Sequence, residues 1–139
     1  MNIDSIRNGI VIDHITAGNA MKLYDLLGLG DLDCAVAIIK NASSGKMGKK
    51  NIIKIDAEIH PDLDVIGYID PTATVNVIRD GELVEKKRIE APKRLVNVIR
   101  CKNPRCITSV EQELDQIFVL TDPVKKIYRC LYCETKAEQ

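Results

Sequence analysis

Four cysteines near the carboxyl end constrain this 139-residue chain more than any other feature. They stand as Cys101-x4-Cys106 in VIRCKNPRCITSV and Cys130-x2-Cys133 in RCLYCET, two close pairs separated by residues 107–129. Two short loops presenting two sulfurs each are what a tetrahedral four-thiolate zinc site requires, with the intervening segment folding one loop onto the other. Asn103 and Pro104 supply turn chemistry within the first pair. A redox role would use one Cys-x2-Cys and leave the other pair unexplained, and disulfides do not suit a reducing compartment. Four thiolates fill the shell and leave no position for water or substrate, while both histidines, His14 and His60, lie far upstream. The expected metal is a staple for a segment too short to hold itself folded by apolar burial alone. Cys34, inside the apolar run CAVAIIK, reads as a plain core residue.

The formal charge is zero but unevenly spread. Residues 93–139 carry 9 Lys/Arg against 6 Asp/Glu, a balance of +3 that one zinc and four thiolates reduce to +1. That is too little for the basic footprint of a nucleic-acid binder. Aromatics are only 4%, with no tryptophan, so base-stacking platforms are scarce too. No apolar run approaches the roughly 20 residues of a spanning helix. The start, MNIDSIRNG, lacks a basic head followed by an apolar core. The expectation is a cytoplasmic protein with neither membrane nor nucleic acid as partner.

The first two thirds alternate strands and helices. GIVIDHIT (9–16) reads as a strand, and AGNAMKLYDLLGLG as a helix with Ala20, Met21, Leu23, Tyr24 and Leu27 on one face. CAVAIIKNA (34–42) is a second strand, SSGKMGKK a polar loop, NIIKIDAEI (51–59) a third strand and HPDLDVIGYIDP a weaker helix. ATVNVIRDGELVEKKRIE makes a hairpin around Asp80-Gly81, a strong two-residue turn signal. The order predicts an α+β chain: a ferredoxin-like antiparallel sheet with two helices and one extra strand over 1–92, then a small β-rich zinc domain over 93–139. Glu90-Ala91-Pro92-Lys93 is the candidate linker.

Catalysis finds little support, since no Ser-His-Asp set, acid pair or open metal site is visible. Two features of the first domain stand out. Asp13-His14 interrupts an apolar strand, where a carboxylate must find partners or shift its pKa; a satisfied edge-strand aspartate is the commoner outcome. Period two places Lys50 with Lys54, and Lys86 with Arg88, on common strand faces. Such cations can converge on a polyphosphate, though a solvated charged face is the commoner outcome. SSGKMGKK lacks the G-x4-G-K-[ST] order of a P-loop.

VIDHI (11–15), SGKMGKKNIIKID (44–56), PTATVN (71–76) and the cysteine tail together resemble the regulatory chain of aspartate carbamoyltransferase, from about residue 3 to residue 135. The resemblance implies a non-catalytic subunit of pyrimidine biosynthesis that pairs with a second copy through its N-terminal domain and bridges catalytic trimers. That domain would bind CTP as inhibitor or ATP as activator, and the zinc domain would dock on the catalytic chain. Carried over by position, Asp13 would contact the ribose, Lys54 the ribose and base, and Lys86 the phosphates. Ile6 and Ile3 would line the base pocket, with Lys50, Asn76 and Leu83 at further pocket positions and His14 near the phosphates. Set against the best-known members, the resemblance begins several residues late, so a segment that in some assists a second nucleotide or the dimer partner is expected to be missing. Gly81 stands where an aromatic can flank the base, so weaker base discrimination is expected. A zinc-ribbon nucleic-acid binder and a free-standing small-molecule sensor are the competing readings.

Overall fold

Alternating isoleucines build the first unit. The computed structural model describes residues 6–45 and 48–138, and the chain divides into compact units at residues 1–90 and 91–139. In β1 (Gly9–Ile15) Ile10, Ile12 and Ile15 point inward, and in β3 (Gly48–Ile55) Asn51, Ile53 and Ile55 do the same. With β2 (Val36–Ser44), β4 (Thr74–Arg79) and β5 (Glu82–Arg88) they form an antiparallel sheet in the order β2-β3-β1-β4-β5. Helices α1 (Ala20–Leu26) and α2 (Leu63–Ile69) cover one face, packing Leu23 and Ile66 into a core with the strand isoleucines and Val75. Each such side chain contributes roughly 1.5–3 kcal/mol on full burial. Because strand residues alternate, the other face carries Val11, Asp13, Lys50, Lys54, Asn76 and Lys86.

Several expected elements shift. The polar run 43–50 is mostly strand: β2 and β3 pair out to Ser44↔Gly48, because alternate polar side chains can face water while the backbone ladder continues. A register shift between Ile39 and Ala42 accommodates this, with Asn41 at φ 60° donating its N–H to the buried Asn51 Oδ1 at 3.2 Å. β3 ends at Ile55 rather than Ile59. The weak helix candidate is a real helix, since Asp62 accepts from Asp64 N and Val65 N at its start, and Pro71 follows its end. In α1 the inward face is Ala20 and Leu23 with Tyr24 and Leu27 beside them, whereas Met21 is 51% exposed, lying off that stripe. A 3-10 turn, Leu29–Asp31, follows α1. β1 is the middle strand, so Asp13 is not an edge residue. The Asp80-Gly81 turn has φ of 51° and 78°, the paired positive values of a type I′ hairpin.

The second unit is a three-stranded antiparallel sheet of β6 (Arg94–Val96), β7 (Ile117–Asp122) and β8 (Ile127–Cys130), in that order, with a one-turn helix α3 (Ile107–Val110). Its large buried apolar side chains are Leu95, Phe118 and Tyr128, the last donating its hydroxyl to Pro92 O at 2.6 Å. Among the described residues no helix is long and apolar enough to cross a membrane.

A four-thiol centre and a cationic sheet face

The sulfurs of Cys101, Cys106, Cys130 and Cys133 all lie within 4.8 Å of one another. Cys101 and Cys133 are 3.5 Å apart, Cys106 and Cys130 3.7 Å. A tetrahedral zinc with sulfurs at about 2.3 Å would set them about 3.8 Å apart, so the donor set fits that ion. All are free thiols. The first pair sits on a turn in which Cys106 N donates to Asn103 O and Arg105 N to Asn103 Oδ1, both at 3.0 Å. The second hangs from β8, closed by Glu134 N to Cys130 O and Cys130 N to Thr135 O, each 2.9 Å. Asn103 Nδ2 reaches Thr135 Oγ1 at 3.3 Å, linking the two loops.

Crowding four sulfurs sets their proton affinities against each other. Burial pushes the Cys101 thiol up to about 12 and raises Cys130, whereas the Thr135 hydroxyl, 3.2 Å from Cys133 Sγ, draws that thiol down to about 6. A bound divalent cation would deprotonate the set and close its own shell, holding the fold rather than performing chemistry.

On the helix-free face of the large sheet, the strand registers align Ala37, Lys54, Val11, Asn76 and Lys86 in one row across all five strands. The adjacent row holds Asp13, Thr74 and Arg88, and the row on the other side Gly9, Ile78 and Leu83. Lys50 Nζ lies 3.0 Å from Asp13 Oδ1, and His14 N donates to the same oxygen at 2.6 Å. Burial raises the Asp13 carboxyl, but the Lys50 hydrogen bond, the His14 N–H and both neighbouring charges outweigh it and hold the group below the usual carboxylate range. His14 takes φ 57° where β1 shifts register and turns Nδ1 to within 3.2 Å of Thr74 Oγ1. A cavity of about 360 Å³ opens there, its polar lining His14, Thr72, Thr74, Lys86 and Arg88. Asn76 Oδ1 is buried and has no hydrogen-bond partner.

The sequence-predicted residues Asp13, Lys50, Lys54, Asn76, Leu83 and Lys86 thus share one sheet face, and His14 and Lys86 share the cavity. Ile6, half-buried, precedes β1 beside Gly9, where a Cβ would clash with Ile55 O. Ile3 lies outside the described residues. Thr72 and Thr74 of PTATVN, absent from the residues expected at the site, line the cavity as well. The signal was there, two polar side chains two apart entering a strand. Cys34 packs half-buried against the apolar core.

Residues 1–90 match the family model described as the aspartate carbamoyltransferase regulatory chain, allosteric domain, and residues 93–139 match that of the same chain's metal binding domain. Proteins named aspartate carbamoyltransferase regulatory chain are 51% identical in Clostridium botulinum over 134 residues (96% of this chain, 92% of the relative). The Clostridium tetani relative is 49% identical over 135 residues, covering 96% of this chain and 94% of its own. The Bifidobacterium longum relative is 43% identical over 138 residues, 99% of both chains. The chain belongs to the aspartate carbamoyltransferase regulatory chain family, as a regulatory and non-catalytic member with an allosteric and a metal-binding domain.

Proposed function

We propose that residues 1–92 bind CTP or ATP on the helix-free sheet face and pair with a second copy, while residues 93–139 hold one zinc ion and dock on the aspartate carbamoyltransferase catalytic chain. The observation that carries the nucleotide reading is the orphaned acceptor Asn76 Oδ1, which shares a row with Lys54 and with Lys86, the last of which lines the cavity. A buried acceptor without a partner costs about 1–3 kcal/mol unless a ligand donor meets it. Lys86, with Arg88 and His14 across the cavity, suits a triphosphate, lysine serving as a point charge. Asp13, kept ionised by Lys50, suits the ribose hydroxyls, and Lys54 the ribose and base. Ile6 and Leu83 offer apolar surface to the base, with Ile3 assigned there by resemblance alone.

Docking draws support from the apolar side chains left exposed around the thiol loops: Ile107, Val110, Leu131 and Tyr132. An effector bound in one domain acts on a catalytic chain docked on another only through unequal affinity for two quaternary states, typically about 1–3 kcal/mol of coupling. The reading places the chain in cytoplasmic pyrimidine biosynthesis.

The test is titration calorimetry of CTP and ATP. Lys86→Ala and Lys54→Ala should each weaken binding by about 1–3 kcal/mol, as for lost charge-assisted hydrogen bonds, without unfolding the sheet. Wild-type affinity in both variants would overturn the site assignment.

A further inference from the structure

We propose that Gln116 is a positioning residue of the metal centre, a side chain that ties both members of the first cysteine pair to the start of β7. It stands immediately before β7 and is 8% exposed, in a unit with little apolar core to spare. Its Oε1 accepts the Cys101 N–H at 2.9 Å, and its Nε2 donates to Thr108 O at 3.3 Å. Thr108 is fully buried, and its Oγ1 lies 3.1 Å from Cys106 Sγ. One amide therefore reaches Cys101 directly and Cys106 through the residue two beyond it. Its own backbone is fixed in turn, Gln116 N donating to Asn97 Oδ1 at 2.9 Å and Asn97 N to Gln116 O at 2.7 Å.

The two pairs differ in how they are carried. Cys130 ends a strand, and the ladder with β7 sets its place, Phe118 pairing with Cys130. Cys101 and Cys106 lie on a loop and at the cap of a four-residue helix, with no ladder of their own. A buried amide with both ends engaged substitutes for that ladder, which explains a polar residue where an apolar one would bury more cheaply. Partners that orient metal ligands are typically worth about 10–100-fold in metal affinity. The inference rests on reading the four thiols as ligands of one metal.

The test uses the full chain loaded with Co²⁺ and, separately, Zn²⁺. In Gln116→Met we expect chelator competition to show about 10–100-fold weaker binding, with shifted cobalt d–d and thiolate charge-transfer bands. Alkylation of the loaded protein, resolved by peptide mass, should speed at least about tenfold at Cys101 and Cys106 but not at Cys130 or Cys133. A core variant, Phe118→Leu, controls for general destabilisation: affinity falls while the bands and the order of thiol modification stay as in wild type. Gln116→Glu keeps the acceptor for Cys101 and loses the donor to Thr108, so Cys106 alone should become reactive; it carries the test if Gln116→Met does not fold. Absence of selective first-pair reactivity in these variants overturns the proposal. A wild-type chain that takes up neither ion overturns instead the metal reading beneath it.

Discussion

The two units are held together by different means, and the difference decides how each announces its site. Residues 1–90 bury Ile10, Ile12, Ile15, Leu23, Ile53, Ile55, Ile66 and Val75 in one cluster. At roughly 1.5–3 kcal/mol per side chain, that burial is the larger unit's main apolar stabilisation. In residues 91–139 only Leu95, Phe118 and Tyr128 join the cysteines among the buried apolar side chains described. There the site is the scaffold, so its residues must recur at spacings a turn can close. In the larger unit the apolar core is made of other residues than the candidate site, which can be assembled from ordinary side chains on four strands.

The sharpest break of that contrast is metal removal. Chelation, or Cys130→Ser, should unfold residues 91–139, because metal-linked folding in small thiolate domains is worth about 10–16 kcal/mol. The isoleucine core should keep residues 1–90 folded, with nucleotide affinity unchanged. Hydrogen exchange resolved by residue would show protection lost in β6, β7 and β8 and retained in β1, β3 and β4. Loss of protection in β1 as well would mean that the units do not stand separately.

The same contrast explains what could be read from the chain. The four cysteines, the Asp80-Gly81 hairpin and the strand-helix order announce themselves through spacing and turn chemistry. Lys50, Lys54 and Lys86 do not, because a lysine on alternate strand positions looks the same over a ligand as over water. What raises them here is register, which brings Lys54, Asn76 and Lys86 into line, and register depends on pairings remote in sequence. The strands around residues 43–50 were hidden by their polarity. Asp70 and Gln116 had no sequence signal, because a buried polar residue and an exposed one are spelled alike, and only the finished fold shows which has its partners.

Asp70 tests whether the larger unit is purely apolar in its stability. It is 2% exposed and accepts from Thr16 N at 2.6 Å, Asn19 Nδ2 at 3.2 Å and Thr72 N at 3.1 Å, clasping the β1–α1 loop to the segment entering β4. Burial raises its carboxyl, but the hydrogen bonds from Thr72, Thr16 and Asn19 prevail and leave it below the ordinary value. A carboxyl lowered on folding stabilises above its unfolded pKa of about 3.9 and loses that contribution as pH falls through the folded value. Asp70→Asn should therefore cost about 1–3 kcal/mol at neutral pH, since an amide cannot accept from both sides. The gap between variant and wild type should narrow below about pH 4. A difference in urea midpoint that stays constant from pH 7 to pH 3 would assign the loss to shape rather than charge.

Gly81 gives the smallest effect and separates backbone cost from site cost. Its φ is 78°, and a Cβ there would meet nothing within 4 Å, so Gly81→Ala introduces no clash and only left-handed strain. The cost should be about 1 kcal/mol, felt in the hairpin that joins β4 to β5. That hairpin sets the pairing of Asn76 with Lys86, so the nucleotide reading makes a linked demand. If strain at the turn only lowers the melting temperature, CTP and ATP affinities measured well below the transition should stay at wild type. If it slips β5 against β4, Lys86 leaves the row of Lys54 and Asn76, and affinity should fall as far as in Lys86→Ala. The type I′ geometry, with Asp80 already at φ 51°, favours the first outcome, because alanine at one left-handed position strains the turn without changing its two-residue length.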